Sequence, residues 1–309
     1  MRAALALRPL AWATLVANCV LVVTGGAVRL TGSGLGCPTW PRCTDRSFRP
    51  HGALDVHEAI EFGNRMLTFV LVAIAIATFV AAWRSGRREL RILGLVLALG
   101  IPAQAIIGGI TVLTDLNPWV VSFHLLCSLA IIGLAVLLLW RLDHPAAGTA
   151  GGAEVTLAGL TFAAGWLVLY VGTVVTGSGP HAGDVDSPRN GLDPLQVSQL
   201  HADLVFLFVG LTVGLLFAVR VAGRSAAVRR GVLVLLAVEL AQGTIGFVQY
   251  FTDLPEVLVG FHLLGAALVS ATATWVLLLV REEDMVPPKS ERTTAGPHPR
   301  EQAMPSSSH

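Results

Sequence analysis

Eight apolar runs, each about 20 residues long and so able to cross a bilayer as a helix, dominate this chain of 309 residues. Only 13% of its residues are charged, whereas a soluble domain carries about 25%. We therefore predict an all-α integral membrane protein with eight transmembrane helices. The predicted spans are Leu10–Val28, Leu67–Trp83, Ile92–Val112, Val120–Trp140, Leu157–Val175, Leu204–Val221, Val232–Tyr250 and Val257–Val280.

The second half of the chain repeats the first. Residues 104–116, which lead into His124, match residues 242–254, which lead into His262, with one offset of 138 residues. Four spans in each half give the halves a parallel topology about a pseudo-two-fold axis along the membrane normal. We predict two pseudo-symmetric four-helix bundles, residues 1–145 and 156–281. A linker, 146–155, joins them, and a disordered cytoplasmic tail, 282–309, follows.

Histidines occupy matching places in these halves. His124 and His262 lie in the fourth and eighth spans, and His201 opens the sixth. An ionisable side chain in an apolar span is costly and indicates a functional site. Neutral imidazole binds haem iron, so His201 and His262 together predict a haem held between two helices. For any single histidine the alternative is a hydrogen-bonded core residue.

The first half lacks the second histidine of this pair. Aligning the second and sixth spans places Asn64 over His201, and asparagine is a poor iron ligand. The nearest alternative is His57, two helical turns earlier on the same face and about 10 Å further out.

A carboxylate occurs only in the half that lacks this histidine. Glu61 lies between His57 and Asn64, and its repeat equivalent is Ser198. A carboxylate beside a bound substrate can act as a base or stabilise a developing cation. The alternative is an ion pair with Arg65 four residues later. One half is thus typical of a fixed cofactor site and the other of a reactive site.

Three further polar residues each allow two interpretations. Arg29 and Arg65, at the outer ends of the first two spans, are candidates for pairing with haem propionates, or they snorkel to the interface. Glu239, inside the seventh span, is a proton-pathway residue or a partner in an interhelical hydrogen bond.

The loops indicate how the chain is oriented. Basic residues concentrate after the second and sixth spans, which places both termini in the cytoplasm of a cell-membrane protein and the histidines near the outer face. Cys37 and Cys43 then lie in an outer, oxidising loop, where a disulfide is expected; free thiols or a redox-active pair are the alternatives. The net charge is +1, and we find no basic patch suited to nucleic acid.

Several segments resemble the haem A synthase family, whose members convert haem O to haem A for cytochrome oxidase. They are residues 24–41 (TGGAVRLTGSGLGCPTWP), 61–65 (EFGNR), 108–114 (GGITVLT), 124–126 (HLL) and 242–265, from QGTIG to HLLG. Together they span nearly all of residues 10–280.

The resemblance implies an oxidoreductase. It implies a haem B cofactor held by residues matching His201 and His262, with substrate haem O in the first half, where His124 is one ligand and Glu61 the catalytic carboxylate. The family oxidises the C8 methyl of haem O to a formyl group with oxygen from water, and its outer cysteine pair matches Cys37 and Cys43. Where family members commonly carry histidine, this chain has Asn64, so we take His57 as the candidate replacement ligand.

The expected partners are haem O, membrane lipid, a haem O synthase and a membrane electron acceptor or donor. Two other functions stay open on the residues alone. One is a cytochrome-b-like electron carrier that acts on quinone, and the other is a haem carrier without chemistry, because parallel repeats also occur in transporters.

Overall fold

The computed structural model describes residues 2–48, 55–145 and 152–283. Throughout these ranges the regular structure is helical, without a strand. The helices are α1 (Arg2–Leu30), α2 (Val56–Arg84), α3 (Arg88–Leu113), α4 (Pro118–Asp143), α5 (Ala153–Ser178), α6 (Pro194–Val221), α7 (Ala226–Phe251) and α8 (Glu256–Glu283).

The predicted eight spans are confirmed, because all eight helices contain a stretch long and apolar enough to cross a membrane. The chain is therefore a multi-pass membrane protein. The helices extend beyond the apolar runs, most of all at two starts: α2 begins at Val56 instead of Leu67, and α6 at Pro194 instead of Leu204. Their first turns are polar, so hydropathy alone places the starts too late.

Side-chain caps fix where α4 and α6 begin. The side chain of Asn117 accepts a hydrogen bond from the backbone N–H of Trp119 at 3.0 Å. Asp193 does the same for Leu195 at 2.8 Å. A proline follows each cap at the first helical position, where its missing N–H costs nothing. The caps set the depth of His124 and His201, which follow about two turns later.

The turns after α3 and α7 have the same backbone, which supports the internal repeat. Asp115 and Leu116 adopt φ of 51° and 57°, and Asp253 and Leu254 adopt 57° and 56°. Two successive non-glycine residues in the left-handed region are uncommon. In both turns the leucine N–H donates to the carbonyl five residues earlier, at 2.8 and 3.0 Å.

Each half forms a closed ring of four helices. In the first, α1 packs on α2, α2 on α3, α3 on α4 and α4 on α1; in the second, α5 to α8 pack in the same order. The halves meet through α4 with α8, α1 with α8, and α4 with α5. Gly133 allows the α4–α8 approach, because a Cβ there would lie 3.0 Å from Oγ1 of Thr274. The pseudo-two-fold axis stays a prediction.

Two predicted boundaries shift. The linker was expected over 146–155, but α5 already begins at Ala153. The tail was expected from residue 282, but Glu282 belongs to α8 and accepts hydrogen bonds from Trp140 and, at 2.8 Å, from Arg141 of α4. These contacts extend α8 past its apolar run. Residues 146–151 of the linker and 284–309 of the tail lie outside the described residues.

Candidate functional site

Three histidine rings lie against glycines of neighbouring helices. His124, His201 and His262 belong to α4, α6 and α8, and each glycine lies on the helix just before. A Cβ on each glycine would lie close to Cε1 of the histidine ring. The distance between these two atoms would be 3.3 Å between Gly108 and His124, 3.1 Å between Gly172 and His201, and 3.6 Å between Gly246 and His262. The absent side chains leave space for the rings.

Nδ1 of each of these rings is buried and has no hydrogen-bond partner among the described residues. Buried polar atoms are nearly always paired, so an unpaired one calls for an explanation. Six of the seven such side-chain atoms in the described ranges belong to two groups. The first-half group is Gln104 Oε1 and His124 Nδ1, and the second-half group is His201 Nδ1, His262 Nδ1, Gln242 Oε1 and Glu239 Oε2.

A glutamine accompanies two of the histidines, and sequence reasoning gave it no role. The side-chain amide of Gln104 donates to the backbone carbonyl of His124 at 3.3 Å, and that of Gln242 donates to the carbonyl of His262 at 2.9 Å. Both glutamines lie in the repeated segments, so the repeat itself was the signal. These bonds fix α3 to α4 and α7 to α8 at the histidines.

The two predicted haem ligands of the second half lie on α6 and α8. His201 and His262 lie within electrostatic range of each other. Their helices, α6 and α8, do not pack directly on each other in the described part of the chain but stand diagonally across the ring. Two imidazoles on diagonally opposite helices of a bundle, each with a buried Nδ1 that has no hydrogen-bond partner, fit the axial ligand set of a haem.

In the first half the buried group is a carboxylate. Glu61 is only 5% exposed. Its Oε2 accepts the backbone N–H of Cys37 at 2.5 Å, and its Oε1 accepts Nε and Nη2 of Arg65 at 3.1 and 2.5 Å. All three partners are donors, so the arrangement suits the anionic carboxylate.

The rest of the Arg65 guanidinium binds the loop above it. Nη2 donates to the carbonyl of Cys37 at 3.0 Å, and Nη1 donates to the carbonyls of Thr39 and Arg42 at 3.2 and 3.3 Å. A disulfide closes this loop between Cys37 and Cys43, with an S–S distance of 1.99 Å. The predicted disulfide is present, and Arg65 joins its loop to Glu61.

The disulfide loop also reaches α3. The indole of Trp40 lies directly on Gly109, where a Cβ would overlap the ring. In the second half the equivalent position is Phe247. The disulfide loop therefore covers α3 at Gly109, whereas the equivalent Phe247 is exposed.

The two candidates for the missing ligand have different partners. Asn64 accepts a hydrogen bond from the hydroxyl of Thr24 at 2.8 Å. His57 lies exposed in the first turn of α2, with Nδ1 3.0 Å from the hydroxyl of Ser33. Asn64 lies deeper in the ring, whereas His57 lies at its rim.

Arg29 crosses between the halves. It donates from Nη2 to the carbonyl of Thr176 at 2.7 Å and from Nε to the carbonyl of His181. His181 in turn donates from Nε2 to the carbonyl of Leu254 at 2.9 Å. Sequence reasoning assigned no role to His181, which lies outside the exact repeat. Arg29 thus ties α1 to the loops that follow α5 and α7.

Glu239 makes an interhelical hydrogen bond. The hydroxyl of Thr212 on α6 donates to its Oε1 at 2.7 Å. Its Oε2 is buried and unpaired. Of the two interpretations of this residue, the hydrogen bond is therefore present, but it satisfies only one of the two oxygens.

The chain is similar to proteins of one known family. The model of the cytochrome oxidase assembly protein family, COX15-CtaA, matches residues 8–183, more than half of the chain. A protein of Geobacillus kaustophilus named haem A synthase is 24% identical over 312 residues, covering 94% of this chain and 97% of the relative.

Other relatives with the same name align over a shorter stretch. A Geobacillus thermodenitrificans protein is 30% identical over 137 residues, 43% of this chain and 42% of its own length. A Listeria welshimeri protein is 33% identical over 138 residues, 41% of this chain and 44% of its own length. In both cases the aligned stretch spans less than half of the relative.

The family match covers the disulfide loop, Glu61, His124 and Arg29. The resemblance expected from the sequence is confirmed by both the family model and the relative aligned along nearly its full length. The chain belongs to the cytochrome oxidase assembly protein family, COX15-CtaA.

Proposed function

We propose that this chain is a haem A synthase, an oxidoreductase that converts the C8 methyl group of haem O to a formyl group. The observation that carries the proposal is the asymmetry between the halves: one half has a pair of histidines, and the other has one histidine and a buried carboxylate. Membership of the family and the names of its relatives support it.

His201 and His262 would hold haem B in the second half. The unpaired Nδ1 atoms and the glycines behind the rings support this assignment. When bound, this haem supplies one-electron redox chemistry and relays electrons from the substrate to a membrane acceptor. The chain orients the two imidazoles through the bond from Gln242 to the His262 carbonyl and through the packing of His201 on Gly172.

The first half would bind haem O as substrate, with His124 as one ligand of its iron. The overall reaction joins a methyl group and one water to give a formyl group, four protons and four electrons, and the electrons need an acceptor. Glu61 accepts hydrogen bonds from three N–H donors, which favour its anionic form. It would stabilise positive charge developing at the methyl carbon and orient the attacking water.

His57 would supply the second substrate ligand in place of Asn64. Its Nδ1 is already oriented by Ser33, an arrangement typical of iron-binding histidines whose Nε2 faces the metal. Arg29 would contact a propionate with Nη1, since Nε and Nη2 donate to carbonyls. Arg65 was predicted as a second propionate contact. Because all three of its nitrogens are engaged, we assign it instead to orienting Glu61.

Orientation and partners complete the proposal. Both termini would face the cytoplasm, with the histidines and the disulfide loop near the outer face of the cell membrane. Residues 1–145 would form the substrate half and 156–281 the haem B half. A haem O synthase and a membrane electron acceptor or donor would act beside it.

The test is the haem content of membranes from a host that makes haem O and supplies the electron partners. We expect haem A with the intact chain and a loss of about 10²–10³-fold in Glu61→Gln, as for removal of one preorganised electrostatic group. Glu58→Gln, one turn earlier on α2, is the matched control and should retain activity. Bound haem with haem O left unchanged by the intact chain would instead identify an electron carrier.

A further inference from the structure

At one pair of equivalent core positions, the first half has apolar side chains and the second half has polar ones. In the first half Ala75 of α2 and Ile101 of α3 are each 3% exposed and belong to one apolar cluster. In the second half the equivalents are Thr212 and Glu239, which are 0% and 3% exposed. Thr212 follows Ala75 by 137 residues, the offset between Asn64 and His201, and Glu239 follows Ile101 by 138.

The carboxyl group is therefore not needed to pack a ring of this kind, since the first half packs the same place with apolar side chains. A carboxyl group in a membrane-spanning helix is costly and is retained where it functions. Glu239 lies near the middle of α7, about 20 Å from its first residue, Ala226.

One carboxylate oxygen of Glu239 is available to bind a proton. Thr212 donates to Oε1 at 2.7 Å, and Oε2 is buried without a partner. Gln242, one turn further along α7, binds the His262 carbonyl. Gly246, which lies against the His262 ring, is about two turns further along α7 than Glu239, and His201 is about three turns from Thr212 along α6. Glu239 therefore lies about two to three turns deeper than the histidine rings, in the same half.

No other ionisable group lies as deep on the helices that pack with α7, within the described residues. These helices are α6 and α8. Apart from Glu239, the ionisable residues on the three helices are His201, Asp203, Arg220, Arg229, Arg230, Tyr250, Glu256, His262, Arg281, Glu282 and Glu283. All of them, the histidine pair included, lie within about three turns of a helix end, and none is hydrogen-bonded to Glu239.

We propose that Glu239 takes up one proton when the haem held by His201 and His262 gains one electron, and releases it when that electron leaves. The inference rests on the proposed function, which supplies the electron from the methyl group being oxidised. The carboxylate becomes a carboxylic acid with a proton from water, as the iron passes from ferric to ferrous. The hydroxyl of Thr212 is the adjoining proton donor and acceptor.

The physical reason is charge compensation in a medium of low dielectric constant. A ferric haem carries one more positive charge than a ferrous haem, and that charge stabilises a nearby carboxylate. Reduction removes the charge, so the buried carboxylate binds a proton. The same coupling read in reverse makes the midpoint potential of the haem depend on pH.

The experiment is a redox titration of the purified haem-loaded protein at several pH values. We expect the midpoint potential of the second-half haem to fall as pH rises, by up to about 59 mV per pH unit, the slope for one proton per electron. In Glu239→Gln the slope should fall by at least half. Its potential should lie above that of the intact protein at alkaline pH and near it at acid pH.

Two further variants separate proton uptake from packing. The double variant Thr212→Ala with Glu239→Ile copies the first half, so we expect it to fold and to lose the slope. Ile101→Leu, at the equivalent first-half position, should keep it. A slope that Glu239→Gln and the double variant both retain would overturn the proposal, as would a shift of equal size at every pH, which indicates a packing effect.

The outcome also distinguishes this inference from the function on which it rests. An intact protein that binds no haem through His201 and His262 would overturn both. An intact protein that binds haem and makes haem A, with a slope independent of Glu239, would overturn only the role of Glu239.

Discussion

Arg65 and Glu61 form a buried ion pair in which two guanidinium nitrogens, Nε and Nη2, bind one carboxylate oxygen at 3.1 and 2.5 Å. The same guanidinium binds three carbonyls of the disulfide loop. In that loop, the backbone N–H of Cys37 donates to the other oxygen of Glu61. The position of the carboxylate and the shape of the loop therefore depend on each other.

The first prediction concerns this pair. Arg65→Gln should lower haem A formation by about 10²-fold, since misplacing a catalytic group by about 1 Å has an effect of that size. Arg65→Lys should recover little of it, because an ammonium cannot make the planar two-nitrogen contact. The measurement is haem A per bound haem B in purified protein.

The control for Arg65 lies on the same loop. Arg42 contributes its backbone carbonyl to Arg65, while its side chain binds the carbonyl of Asp45. Arg42→Lys keeps the backbone carbonyl of residue 42, which accepts the hydrogen bond from Arg65, and should therefore leave haem A formation unchanged. Equal losses in Arg42→Lys and Arg65→Lys would argue that the loop needs a guanidinium group at both positions rather than the particular contact between Arg65 and Glu61.

The second prediction compares the effects of alanine at the two glycines that lie against the proposed haem ligands His201 and His262. An alanine at Gly172 would place its Cβ 3.1 Å from His201, whereas at Gly246 the distance to His262 is 3.6 Å, an ordinary contact. Gly172→Ala should displace the ring, lower haem occupancy and alter its absorption spectrum, at a cost of about 1–3 kcal/mol for overpacking.

Gly246→Ala should keep the spectrum of the intact protein. Gly210 lies on the same helix as His201, and a Cβ added there would meet no heavy atom within 4 Å. Gly210→Ala therefore serves as the control for changing glycine to alanine in a helix. A spectrum altered by Gly246→Ala but not by Gly172→Ala would contradict the assignment of close ring packing to Gly172.

The third prediction tests the second ligand of the substrate iron. His57→Ala should reduce retention of haem O in the first half and change the spectrum of its iron, because it removes an imidazole. Asn64→Ala removes only the bond from Thr24 and should have a much smaller effect. Haem O binding and turnover that survive in His57→Ala would exclude His57 as the ligand.

The fourth prediction concerns the contact between the halves. Arg29→Gln removes two charge-assisted hydrogen bonds, to the carbonyls of Thr176 and His181. It should lower the free energy of unfolding by about 2 kcal/mol. Thermal unfolding in detergent without haem measures this, with Arg220→Gln, an exposed arginine at the end of α6, as the control that should not change Tm.

The sequence by itself determined the features that depend on local composition or on residue identity. Hydropathy located eight helices, because an apolar run of sufficient length has few other ways to satisfy its backbone in a bilayer. The repeat paired His124 with His262 and revealed Asn64 opposite His201. It also singled out Glu61 as a carboxylate without an equivalent.

Only the tertiary structure decided which side chains meet across elements that are distant in the chain. Arg65 reaches three carbonyls of the disulfide loop, and Trp40 lies on Gly109, because the loop folds back over α2 and α3. The pairing of Thr212 with Glu239 requires the register between α6 and α7. Hydropathy and spacing describe each helix separately, whereas these contacts depend on the rotation and depth of one helix against another.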